Sequence, residues 1–399
     1  PFIPEEFKYE IIGNVSKQFD IVKRLLNRED VECIYVCTDS GREGEYIYRL
    51  VDQMAKVPVS KEKRRVWIDS QTEEEILRGI REAKLLSEYD NLCSAAYSRA
   101  KEDYLMGINF SRALTLKYGY AVKNYLNEGK SGAISVGRVM TCVLGMIVTR
   151  EWAIRNFKPT PFYKVTLNAN GITAEWKIDE NSKWHDHPKI YENTGFKEEK
   201  DADTFIASLP RQAVLVAKEQ TTEKNYAPPL FNLAELQSEC SKILKISPDI
   251  TLKVAQSLYE KKLTTYPRTD ARVMTAAVAS GIGKTVSNLG AYAPWIKVLA
   301  DEITVNGWDK KISGFKKYVD DSKVTDHYVI IPTGIGFNET INDLEKKVYE
   351  LIVKRFLSIF FPPAEYDVLK LEFTSGGERF ASTYKKLKNP GYYKVSGMP

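Results

Sequence analysis

VECIYVCTDSGREGE, residues 31–45, runs from an apolar stretch into a glycine-containing turn that carries Asp39, Glu43 and Glu45. The apolar run reads as a buried strand and REGEYIYRLVDQMAK as the helix that follows it. RRVWIDS (64–70) has strand character next, and TEEEILRGIREAKLL (72–86) is an amphipathic helix with Thr72 at the N-cap and Glu75 at the capping-box position. Strand and helix alternate, which predicts an α/β domain with a parallel sheet. Asp39 then stands at the C-terminal end of a parallel strand, where open α/β sheets place ligands. With a helix starting near Arg42, Glu43 faces the same crevice as Asp39, and Glu45 faces elsewhere or lies at its rim. Two carboxylates held together resist ionising unless a cation neutralises them, and hard oxygen donors suit Mg²⁺, with water filling the rest of its shell.

Downstream the pattern changes twice. AAYSRAKEDYLMGINFSRALTLKYG (95–119) is helical with a break or kink expected near Gly107, and SVGRVMTCVLGMIVTREWAIRNF (135–157) is a second helical stretch. From residue 162 the period becomes two, as in FYKVTLNANGITAEWKI (162–178) and QAVLVAKEQTTEKNYA (212–227). Prolines near the starts of APPLFNLAELQSECSKIL (227–244) and SPDITLKVAQSLYEKK (247–262) open a second helical region. The strand signal returns in YDVLKLEFTSGGERFASTYKKL (366–387), so a β-rich region brackets a helical insertion.

The 399 residues are 43% hydrophobic with a net charge of +5, enough for several cores and a modest lean towards a polyanionic partner. Five dispersed cysteines argue against a disulfide framework or a zinc ribbon, and fit buried thiols in a reducing compartment. No apolar run approaches the ~18 residues of a membrane-spanning helix. No basic-then-apolar leader opens the chain, which begins at Pro1 without a methionine.

Three further groups of residues could carry chemistry. In LTTYPRTDAR (263–272), Pro267 stiffens the backbone beside Tyr266, and Arg268 offers a donor fork suited to a phosphate. A phenol is a poor nucleophile until a cation favours its phenolate, and an arginine holding the target phosphate would do both jobs. The bland alternative is a core tyrosine before a turn. In KVTDHYVIIPT (323–333), His327 either caps a strand or donates to a phosphoryl oxygen. Arg99, Arg112 and Arg138 recur beside small or polar residues near Asn109, as a solvated face or as a groove that grips a nucleic-acid backbone.

Taken together and in this order, the motifs resemble the type IA DNA topoisomerases, in particular the bacterial topoisomerase III branch. YVCTDSGREGE (35–45) is similar to the family's Toprim signature. RAKEDYLMGINFSRALT (99–115) and ISVGRVMT (134–141) are similar to its gate-domain motifs, and APPLFNLAELQ (227–237), YEKKLTTYPRTD (259–270) and TDHYVIIPT (325–333) to the segments around its active-site tyrosine. The resemblance implies a multidomain fold of α/β, α and β-rich domains: a Toprim-type α/β domain within a toroidal core. Residues 1–85 would be the Toprim domain without its first strand, 86–160 the first part of the gate, 161–220 and 358–399 the hinge, and 221–357 the domain bearing the tyrosine. It implies Tyr266 as nucleophile, Arg268 and His327 on the scissile phosphate, and Asp39 and Glu43 on Mg²⁺, with Glu43 also catalytic. Arg42, Arg99, Asn109, Arg112, Arg138, Arg268 and His327 would contact DNA.

The implied activity is ATP-independent. Single-stranded DNA is cut through a 5′-phosphotyrosine, a strand is passed and the break is resealed, which relaxes negative supercoils or decatenates DNA. Single-stranded and negatively supercoiled DNA are the implied partners. A helicase or replication protein would join them around a cytoplasmic, nucleoid-associated monomer. Many members carry an aspartate where this chain has Gly41, and glutamine and proline where it has Met140 and Cys142. The family's first Toprim strand and its returning gate segment find no counterpart, so a stretch truncated at both ends is expected to bind DNA without completing the reaction. A Toprim nuclease or primase with a structural Tyr266, and a noncatalytic DNA-binding protein, share enough of these features to stay open as alternatives.

Overall fold

The computed structural model describes residues 2–68, 73–126, 132–324, 327–335 and 340–398; the Thr72 cap expected above lies outside them. The chain divides into two compact units. The first comprises residues 1–157, 268–281 and 319–329, and the second residues 158–267, 282–318 and 330–399.

The first unit opens with helix α1 (Ser16–Leu26), strand β1 (Cys33–Val36), helix α2 (Arg42–Ala55), strand β2 (Glu62–Arg65), helix α3 (Glu73–Arg81) and strand β3 (Lys84–Leu85). β1 and β2 pair in parallel, with Val36 opposite Arg65, as the alternation of strand and helix requires. The sheet is not parallel throughout, because β3 runs antiparallel to β2. The strand itself ends at Arg65, so Val66, Trp67 and Ile68, expected as strand within 64–70, lie beyond it. Ile34, Val36, Tyr48, Ala55, Val57 and Leu86 form the core, with Phe19, Leu26 and Val31 packed against it.

Helix α4 (Asp90–Leu126) follows as one 37-residue element, about 55 Å long at 1.5 Å per residue. No break occurs at Gly107. One glycine costs a helix only about 1 kcal/mol, and the strong helix formers around it outweigh that. Helix α5 (Arg138–Arg155) buries none of its residues, and Val143, Leu144, Ile147 and Trp152 stay exposed.

The second unit holds a five-stranded antiparallel sheet of β4 (Thr166–Ala169), β5 (Ile172–Lys177), β8 (Val214–Asn225), β9 (Ala364–Ser375) and β10 (Glu378–Asn389), in the order β4-β5-β10-β9-β8. β6 (Ile190–Tyr191) and β7 (Gly195–Phe196) form a small hairpin, and helix α6 (Glu199–Ser208) packs Phe205 onto Trp176 and Phe196. β8 and β9 pair from Val214 opposite Thr374 to Asn225 opposite Ala364, although well over a hundred residues of chain separate them. The β9–β10 turn needs Gly376 and Gly377, at φ +57° and +82°.

Between β8 and β9 lie α7 (Leu233–Leu244), capped by Asn232, and α8 (Pro248–Glu260), capped by Ser247 with proline in its first turn. The helix Asp343–Ser358 carries a full Asn342/Glu345 capping box. The expectation of a toroidal core is corrected at the sheets: among the described residues the strand orders are open, and no sheet closes into a toroid or barrel.

Candidate active site

The acidic turn owes its shape to close backbone packing. Gly41 precedes α2 in extended conformation, and a Cβ on Gly44 would sit 2.0 Å from the carbonyl oxygen of Asp39. The helix can therefore lie on the turn only with glycine at 44. Thr38 Oγ1 donates to the Gly44 carbonyl at 2.7 Å, and Ser40 Oγ accepts the Ile68 N–H at 2.9 Å. Asp39 and Glu43 face outward, with side chains 59% and 67% exposed.

Glu45, two residues on, points the opposite way and is fully buried, bonded to Arg65 Nε at 3.0 Å and Arg49 Nε at 2.8 Å. It therefore takes no part in the exposed acidic pair. Arg65, also fully buried, was not foreseen. Only the strand register that sets it opposite Val36 distinguishes it from the half-buried Arg64.

His327 joins Asp39, with Nε2 3.7 Å from Oδ1. Its position comes from the stretch that follows the tyrosine motif. Thr269 Oγ1 donates to the His327 carbonyl at 2.7 Å and accepts the Ala271 N–H at 3.1 Å, and the Val329 N–H bonds the Val273 carbonyl. Arg268 is exposed at the head of this stretch. The first unit thus brings together Asp39 and His327, a pairing the sequence spacing did not reveal.

Of the remaining cations, Arg99 and Arg112 lie on α4, Arg42 opens α2 and Arg138 opens α5. Arg99 Nη1 bonds Glu43 at 3.0 Å, and Arg42 lies 3.8 Å from the same carboxylate. Arg138, at the start of α5, pairs with Asp103 at 3.0 Å. The chain before it is tied to α4, since Ser111 Oγ accepts the Val136 N–H at 2.8 Å and Thr115 Oγ1 the Ile134 N–H at 2.9 Å. Asn109 accepts from the Phe2 N–H and donates to the Phe2 carbonyl at 2.8 Å. Asn109, Arg112 and Lys101 line a groove of about 1100 Å³ along α4. Met140 and Cys142 are exposed on α5.

Tyr266 belongs to the second unit. Its ring meets Tyr259 edge-on at 5.3 Å, and the residues before it are fixed by the Thr265 N–H to the Ile331 carbonyl (3.0 Å) and the Thr333 N–H to the Leu263 carbonyl (3.0 Å). The nucleophile candidate thus sits half-buried at the end of a braced segment.

As a donor set, Asp39 and Glu43 suit a Mg²⁺ ion that keeps most of its water, since that ion commonly takes one or two carboxylates. Among the described residues no three or more Asp, Glu, His or Cys side chains gather into a metal cage. Glu43 would exchange its bond with Arg99 for the ion.

A DNA topoisomerase family model matches residues 87–399. The chain is 35% identical over 402 aligned residues to DNA topoisomerase 3 of Bacillus subtilis, covering 100% of this chain and 51% of that protein. It is 34% identical to DNA topoisomerase 3 of Bacillus licheniformis, covering 99% of this chain and 51% of that one. The chain therefore spans about half the length of these relatives. In fold it is similar to full-length topoisomerase I of Thermotoga maritima, with a TM-score of 0.62 and 22% identity over 98% of this chain and 59% of that one.

Proposed function

The chain belongs to the type IA DNA topoisomerases, in the topoisomerase III-like branch, and we propose that the intact protein cuts and reseals single-stranded DNA through Tyr266. The observation that carries this reading is the pairing of His327 with Asp39, with His327 tied through its carbonyl to Thr269, which directly follows the exposed Arg268 and stands three residues after Tyr266 in the chain.

In the proposed reaction the Tyr266 phenol loses its proton and its oxygen attacks the phosphorus of a phosphodiester. A phosphotyrosine bond to the 5′ side forms, the bond to the 3′ oxygen breaks, and that oxygen leaves as a hydroxyl after taking a proton. One ester replaces another, so the hydroxyl can reverse the step without ATP. Arg268 offers two parallel donors to the non-bridging oxygens and stabilises the charge that builds there. His327, bonded through its backbone to Thr269, presents its ring to the same phosphate. A bound Mg²⁺ would add positive charge beside the phosphate, with Asp39 and Glu43 as its protein ligands. Arg99, Arg112 and Arg138 would follow the incoming strand along α4, with Arg42 and Asn109 at its flanks.

The test is a denaturing gel of protein mixed with 3′-labelled single-stranded DNA and Mg²⁺. A covalent adduct on the 5′ phosphate is expected for the intact protein and none for Tyr266→Phe. An adduct that survives this substitution, or a hydrolytic cut without one, sinks the reading.

A further inference from the structure

Arg65 is a charged side chain with no exposure at all, and four of its five hydrogen-bond partners lie at the end of β1, in the acidic turn or in the first turn of α2. Nη1 donates to the carbonyls of Val36 (3.1 Å), Thr38 (2.7 Å) and Val66 (3.0 Å), and Nη2 donates to the carbonyl of Asp39. Nε donates to Glu45 Oε2 at 3.0 Å. The guanidinium therefore gathers the strand end and the turn by their backbone oxygens, while the Asp39 side chain stays outside near His327.

Its other supports fix it in place. Its guanidinium lies 5.3 Å from the Trp67 ring, which stacks on Tyr89, also at 5.3 Å. The second oxygen of Glu45 is held by Arg49, which also bonds the Leu86 carbonyl and Asp90, each at 2.8 Å, at the head of α4. A lysine could keep the charge opposite Glu45. It could not span carbonyls at 36, 38 and 39 from a single point.

We propose that Arg65 is a positioning residue that sets the Asp39–Glu43 turn for divalent-cation binding, acting through the backbone carbonyls it clamps rather than through its ion pair with Glu45. This rests on the metal-assisted reading above, and the clamp itself can be tested without the reaction.

The experiment is Mn²⁺ titration by electron paramagnetic resonance, with amide hydrogen exchange and thermal unfolding, on the intact protein and on Arg65→Lys and Glu45→Gln. Arg65→Lys is expected to fold, to bind Mn²⁺ about tenfold more weakly, as lost outer-shell support does, and to exchange faster across residues 37–45 but not elsewhere in the first unit. Glu45→Gln keeps the carbonyl clamp and is expected to hold wild-type Mn²⁺ affinity. Equal losses in the two variants, or no loss in Arg65→Lys, overturn the proposal. If Arg65→Lys does not fold, Glu45→Gln decides alone: unchanged affinity supports the clamp and a tenfold loss overturns it. A wild-type protein that binds no Mn²⁺ overturns the metal reading itself.

Discussion

At the scale of single residues, the acidic turn is decided by two glycines with different duties. Gly44 is required by space. Alanine there would drive a methyl to 2.0 Å from the Asp39 carbonyl, so the turn or α2 must move. Gly44→Ala is expected to cost about 1–3 kcal/mol, the usual range for overpacking, read as a lowered thermal midpoint. Gly41 is not so constrained, because its backbone is extended at φ −165° and ψ 179°, open to any residue. Gly41→Asp should therefore fold normally and add a third carboxylate beside Asp39 and Glu43. We expect it to bind Mn²⁺ several-fold more tightly, checked by the same titration; affinity equal to or below wild type would show that position 41 does not face the ion.

At the scale of elements, the helix Asp343–Ser358 depends on Glu345, which closes its capping box through the Asn342 N–H at 2.7 Å. Burial opposes ionisation of this carboxyl, but Lys261, Ser257 and the Asn342 N–H more than offset it and hold its pKa below the ordinary value. Its contribution is therefore full above the unfolded carboxyl's pKa of about 4.3 and is lost as pH falls through the lower folded value. Glu345→Gln is expected to cost about 1–3 kcal/mol at neutral pH, the range for a buried charge-assisted bond. The gap from wild type should close in acid, followed by denaturant melts across that range. A gap that stays constant would show that the ionised form is not what stabilises the helix.

Elements were also what the sequence disclosed best. The acidic turn, both long helical stretches, the period-two segments and the proline that opens α8 are local signals, written within a few residues each. Glu43 and Glu45 separate because residues two apart face opposite sides of a helix. Arg65 was hidden, since inward and outward arginines of one strand differ only by register with β1. The Thr269 contact that holds His327 was hidden too, because it joins segments 58 residues apart. Sheet closure has no local code, and the expected toroid came from the resemblance alone.

At the scale of the molecule, the charge that matters is local. A net +5 from 58 cations and 53 anions is small, and Arg99 and Arg138 already pair with Glu43 and Asp103. Single-stranded DNA would displace these carboxylates. The binding constant should then fall with salt, with a log–log slope of about −0.7 per phosphate neutralised, or about −2 for three arginines. Arg112, exposed on the groove wall, tests this most simply, because Arg112→Ala removes a cation from that wall. It should shrink the slope by about 0.7 and weaken binding alike for every sequence tried. Glu43→Gln should act in the opposite sense without Mg²⁺, because it releases Arg99 to the strand and strengthens binding. Fluorescence anisotropy on a short single strand reads both. A slope unchanged in Arg112→Ala would move the strand off this face of α4, and weaker binding in Glu43→Gln would mean that Arg99 serves the turn rather than the DNA.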